Sequence, residues 1–269
     1  MSASPNRPKP VTVPDFLTAR ERRTKLSVLT GYDYTFARLL DGAGVDAILV
    51  GDSLGMVVQG HRNALPVTLD EVIYHTRCVA RGTTRAMIVS DLPFMTFQLG
   101  PAQALENAGR LVKEGGAHAV KLEGGERTAE AIAAVVRADI PVMGHVGLTP
   151  QSVHRFGGFK VQRQEERLLA DAKAVEQAGA FALVVECVPT ELAKRVTESV
   201  SIPTIGIGAG PHCDGQVLVI QDMLGLYGDL RPKFVKRYAD LGAQVREAVQ
   251  AYCREVREGQ FPDAAHSFQ

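Results

Sequence analysis

The chain has 269 residues, 45% of them hydrophobic, and its 30 Lys+Arg offset 30 Asp+Glu. That balance gives no electrostatic reason to expect nucleic acid or a membrane surface as a partner. The four cysteines (Cys78, Cys187, Cys213, Cys253) show no CxxC spacing, which disfavours a structural zinc and points to reduced thiols.

The opening MSASPNRPKPVTVP is polar and proline-rich and lacks an apolar h-region. Residues 1–13 are therefore expected to form a flexible N-terminal arm, and secretion is not expected. No apolar run approaches the ~18 residues of a spanning helix, so a cytoplasmic protein is expected. Further on, β-like runs alternate with helical patterns. The predicted strands are LSVLTGY, DAILVGD, AMIVSD, HAVKLEG, PVMGHVG, FALVVEC, PTIGIGAG and QVLVIQD. Between them lie segments such as PAQALENAGRLVKEGG and EERLLADAKAVEQAGA, with helical spacing and good helix formers. No Pro/Gly/Ser linker interrupts them, so residues 14–269 read as one domain. Eight strands each followed by a helix, over roughly 250 residues, predict a (βα)8 TIM barrel. An open doubly wound sheet is the alternative, but its GxGxxG after the first strand is missing. The last segment, KRYADLGAQVREAVQAYCREVREG, predicts an amphipathic helix with one face free for packing or for a neighbouring subunit.

AGVDAILVGDS, GGAHAVKLEGG and AGAFALVVECV repeat a pattern: a helix-ending glycine, an apolar run, then an acid. Glycine suits the left-handed position after a helix. Glu123 and Glu186 fall seven residues after Gly116 and Gly179, and Asp52 falls eight after Gly44. The third predicted strand ends likewise, at Asp91. Barrel active sites lie at the C-terminal ends of the strands, so these four acids are expected to meet at one mouth. Like charges gathered there call for protons or a cation, and Mg2+ suits an all-oxygen site. An acid at a strand end can equally be a helix cap, as Asp91 before Leu-Pro illustrates.

In VKLEGG, Lys121 and Glu123 fall on one face of a strand, roughly 6–7 Å apart. Lys121 can neutralise Glu123 or offer its charge to an anionic substrate. His145 ends the fifth predicted strand, where it either joins the site or satisfies the core. The glycines of GIGAG either cradle phosphate or permit tight packing. Cys187 has no evident base partner and is not expected to be a nucleophile.

GYDYTFARLLDGAGVDAILVGDSLGMVVQGH, VSDLPFMTF, VKLEGGE, PVMGHVGLTPQSV, FGGFKVQ, VVECVP, IPTIGIGAG and DGQVLVIQDMLG, taken together, resemble the ketopantoate hydroxymethyltransferase family. The likeness runs in order through nearly the whole chain. It implies a (βα)8 barrel that moves a one-carbon unit from 5,10-methylenetetrahydrofolate onto 3-methyl-2-oxobutanoate, giving ketopantoate for pantothenate and coenzyme A. It also implies a divalent metal such as Mg2+, and a homo-oligomer, often a decamer. Position by position, Asp52, Asp91 and Glu123 correspond to metal positions. Asp52, Ser53, Asp91 and Lys121 correspond to oxo-acid contacts, and Glu186 to the catalytic base. Ala64 departs from the hydroxyl residue common at its position, which puts one loop hydrogen bond in question. Two rival readings are a metal-dependent lyase or mutase of small oxo acids and a non-catalytic metabolite-binding barrel. The first lacks its cysteine-bearing lid motif in EGGERTAEA, and the presence of Glu186 argues against the second.

Overall fold

The computed structural model describes residues 9–228 and 232–268. Its strands are β1 (Leu26–Thr30), β2 (Ala47–Val50), β3 (Met87–Asp91), β4 (Ala119–Glu123), β5 (Val142–Gly147), β6 (Ala182–Glu186), β7 (Thr204–Ile207) and β8 (Gly215–Leu218). They pair in parallel in chain order and close with β8 against β1, which is the TIM barrel the alternation predicts. β2, β3 and β4 are buried at every residue. A parallel barrel has packed side chains inside and helices outside, so neither face of a strand meets water.

The helix-ending glycines behave as their spacing predicts. Gly44, Gly116 and Gly179 have φ of 87°, 83° and 94°, a left-handed turn that costs glycine no Cβ clash. The helix expected over 101–116 is α-helical over Pro101–Arg110 and widens into a π turn over Leu111–Gly115.

The regular βα alternation fails at one point. Residues 208–214 join β7 to β8 with no helix between them. This connection is pinned from within: the Asp214 carboxylate accepts hydrogen bonds from Thr204 N (2.8 Å) and Oγ1 (3.0 Å) and pairs with Arg20. The eighth strand is also shorter than QVLVIQD implies, because Ile220–Met223 turns into a short helix.

Parity along the strands decides what fills the barrel. Leu26, Val28, Ala47, Leu49, Met87, Val89, Ala119, Met143, Ala182, Val184, Ile205 and Val217 belong to one buried cluster. Successive side chains point to opposite faces, so two residues further along each strand the same inward rows reach Asp91, Lys121, His145 and Glu186. The apolar interior thus gives way to charged groups at one end only. The other end is closed by helix Val13–Glu21, whose Phe16 is fully buried edge-to-face against Phe181, with ring centroids 5.6 Å apart.

Of the arm expected over 1–13, residues 1–8 lie outside the described residues. Val11 N donates to Arg85 O at 2.7 Å, and the first helix begins at Val13. Residues up to Val219 form one compact unit and Ile220–Gln269 a second. The second unit contains helix Leu241–Arg257, five residues shorter at its start than the pattern implies, because Asp240 caps it by accepting from Ala243 N. Among the described residues no helix is long and apolar enough to cross a membrane.

Candidate active site

Among the described residues Lys121 is the only buried lysine or arginine. β4 places it in register with Asp91 on β3. Its Nζ lies 3.1 Å from Asp91 Oδ1 and 3.2 Å from His145 Nδ1. Burial works against the ammonium, but the carboxylates of Asp91, Glu123 and Asp52 outweigh it and hold the charge. Lys121 and Glu123 share a face as their spacing predicts, yet the ion pair runs to Asp91 on the neighbouring strand.

The second Asp91 oxygen, Oδ2, accepts from Asp52 N at 2.9 Å. Gly51 permits this approach: a Cβ there would stand 2.8 Å from Ser53 Oγ and 3.4 Å from Asp91 Oδ2. Ser53 Oγ is 2.9 Å from the Tyr32 hydroxyl. The turn Pro150–Ser152 after β5 delivers Gln151 between the acids. Its N donates to Glu123 Oε2 (2.9 Å), and its Nε2 donates to Asp52 Oδ2 (2.8 Å) and Leu92 O (3.0 Å). Gln151 and Tyr32 are site residues that sequence reasoning missed. Gln151 sits in a loop with no periodicity, and only closure of the barrel makes it a buried amide.

The like charges raise one another. Burial first, and then the Asp91 carboxylate, pushes Asp52 up to about 7. Glu123 is raised well above the usual range by burial and then by Asp52. Glu186 is pushed up to about 8 by burial. Its side chain remains 14% exposed, enough to meet a ligand in the mouth, and its Oε2 lies 3.1 Å from His145 Nε2. His145 is lowered by burial and then by the Lys121 charge, so its ring is neutral. An ammonium can only donate, which makes Nδ1 the acceptor and puts the ring proton on Nε2, towards Glu186.

Asp52, Asp91, Lys121 and Glu123 therefore form one cluster, Ser53 adjoins it, and His145 links it to Glu186. His145 joins the site rather than the core. Within GIGAG, tight packing applies at Gly206 and Gly210, where a Cβ would stand 3.1 Å from Cys213 Sγ and 2.6 Å from Thr190 Oγ1. Cys187 is pushed up to about 12 by burial, which suits no nucleophile. Ala64 is buried, and its loop is held by Asn63 Oδ1 accepting from Leu65 N.

Among the described residues no three of His, Cys, Asp and Glu stand together at metal-ligating spacing. The Gln151 amide and the Lys121 ammonium lie between the carboxylates. The donor chemistry nonetheless suits a hard dication: the acids are all-oxygen donors, they repel one another, and the buried Glu123 Oε1 has no hydrogen-bond partner. A cavity of about 280 Å3 leads to Glu123 and Gln151 past Phe94, Phe97 and Arg127.

The sequence profile of ketopantoate hydroxymethyltransferase matches residues 10–264. The chain is 58% identical to a 3-methyl-2-oxobutanoate hydroxymethyltransferase of Trichlorobacter lovleyi, covering 97% of this chain and 99% of the relative. It is 57% identical to the protein of the same name from Geobacter metallireducens, covering 96% and 98%. Among solved structures, it is similar in fold to phosphonopyruvate hydrolase in complex with oxalate and Mg2+ (TM-score 0.61, 14% identity, covering 93% of this chain and 91% of that one). It is likewise similar to 2,3-dimethylmalate lyase, of the PEP mutase/isocitrate lyase superfamily (TM-score 0.60, 18% identity, covering 92% and 88%).

Proposed function

Because the chain belongs to the ketopantoate hydroxymethyltransferase family and transfers a hydroxymethyl group to 3-methyl-2-oxobutanoate to give ketopantoate, we propose that the charged cluster at the barrel mouth performs this reaction. The donor in this reading is 5,10-methylenetetrahydrofolate. The observation that carries it is a lysine buried among three carboxylates, with a fourth carboxylate reached through a neutral histidine.

Lys121 meets the carboxylate of the oxo acid, and Asp91, its ion-pair partner, holds the ammonium in place. Ser53, fixed by the Tyr32 hydroxyl, offers a hydrogen bond to the same ligand. Asp52, Asp91 and Glu123 would hold a divalent cation, Mg2+ in the simplest case, once the Gln151 and Lys121 donors release the carboxylate oxygens. When bound, the cation supplies Lewis-acid polarisation of the ketone. Glu186 removes the proton at C3, with His145 Nε2 3.1 Å from its carboxylate. The carbon so activated bonds to the methylene carbon of the folate as one of its C–N bonds breaks; water then displaces the remaining folate nitrogen, which leaves protonated as tetrahydrofolate, and the barrel mouth orients the partners. Residues 14–269 work as one catalytic domain. The protein acts in the cytoplasm as a homo-oligomer, a decamer in the family's pattern.

Purified protein incubated with Mg2+, 3-methyl-2-oxobutanoate and methylenetetrahydrofolate should yield ketopantoate. Product formed equally well without the folate would remove it as the donor.

A further inference from the structure

A second cavity, of about 450 Å3, lies beside the mouth. It is bounded by Gly124 and Gly125 after β4, by Gly147 and Thr149 after β5, and by Arg127, Arg155 and Arg167. Arg127 also lines the cavity that reaches Glu123 and Gln151, so one side chain walls both spaces. We propose that this arginine-lined cavity binds the glutamyl-tail carboxylates of the folate donor, an assignment that rests on the folate reading above.

The charges in the cavity do not cancel. Arg167 faces Asp171 at 3.6 Å, and Asp171 also accepts from Glu126 N; Glu126 is the second acid of the lining, so three arginines face two carboxylates. Among the described residues neither Arg127 nor Arg155 forms an ion pair; Arg127 Nη2 donates to Ser152 Oγ at 3.0 Å. Partial burial, and then the nearby Arg155 and Arg167 charges, hold the Arg127 guanidinium below its usual range. A structure that spends repulsion in this way is relieved by an anion, and guanidinium forks match carboxylates two bonds at a time. A reduced folate fits the layout chemically. Its reactive one-carbon end is uncharged and belongs near the acid cluster. Its tail carries two or more carboxylates and must leave the mouth over a surface that accepts anions. Carboxylate and phosphate share this chemistry, so the test separates them.

The variants are Arg155→Gln, Arg155→Lys and the double variant Arg127→Gln/Arg155→Gln. Each is assayed with methylenetetrahydrofolate bearing one or five glutamates, and with the tail-less methylenetetrahydropteroate. Arg155→Gln and the double variant should raise KM for both tailed donors on the order of ten- to a hundredfold, the span of lost charge-assisted hydrogen bonds. Arg155→Lys should keep part of the affinity. In Arg155→Gln, KM for the tail-less donor should not change, nor should exchange of the C3 proton of 3-methyl-2-oxobutanoate measured without folate. Equal KM values for tailed donors in wild type and double variant would overturn the tail site while leaving the folate donor intact. So would variants that lose only inhibition by inorganic pyrophosphate. No wild-type turnover with any of the three donors would instead overturn the folate reading itself.

Discussion

Burial holds the Glu186 carboxyl up to about 8, and a base must be ionised to accept a proton. Exchange of the substrate C3 proton should therefore rise with pH and level off only above about 8, followed by NMR in deuterated buffer. A rate independent of pH from 6 to 9 would take the proton away from Glu186. Glu186→Gln should slow this exchange by about 10²–10⁴-fold, while oxo-acid binding, measured by calorimetry, persists. The same carboxyl bears on folding. A group whose folded pKa lies above its ordinary value of 4.5 contributes stability that is full below about 4.5 and is lost as pH rises through about 8. Glu186→Gln should thus melt at the same temperature as wild type at pH 4, and at a progressively higher one between pH 5 and 9. A stability gap that does not widen with pH would contradict the burial of that charge. Glu186 was legible from its distance to Gly179. Its link to His145 was not, because the two residues lie 41 positions apart and meet only through the β5–β6 register.

Among the elements, the first helix has the weakest sequence signal for the position it occupies. Val13–Glu21 follows a proline-rich start and buries only Phe16. That ring nevertheless enters the base of the barrel, edge-to-face with Phe181 and in the same buried cluster as Leu26 and Val28. Phe16→Ala should cost about 3–5 kcal/mol in denaturant unfolding, the usual penalty for emptying a fully buried aromatic site. A loss below 1 kcal/mol would mean that the helix is not a plug. The strands and their preceding glycines were readable, since each depends on residues within one turn or one strand. The missing helix between β7 and β8 was not. Alternation predicts a helix there, and Asp214 overrides it with contacts to Thr204 and Arg20, the latter distant in sequence.

At the scale of the whole barrel, Asp52 lies two residues past β2 while Asp91 and Glu123 end β3 and β4, so the three carboxylates approach one another only when these strands pair. A dication bound by them should stabilise the folded state alone. A chelator is expected to abolish C3 exchange and lower the melting temperature. Mg2+ at about 100 times its Kd is expected to restore both, adding about 2.7 kcal/mol. Melting indifferent to Mg2+ would count against these three residues as its ligands. By itself the amino-acid order determined the βα period, the turn glycines and the acids at the strand ends, because a strand's parity and a helix's stop are local properties. Only the tertiary structure decided that Lys121 pairs with Asp91 rather than Glu123, that Gln151 bridges two acids, and that three arginines share one cavity. Each of these depends on which strand ends and loops the closed cylinder brings within a few ångströms of one another.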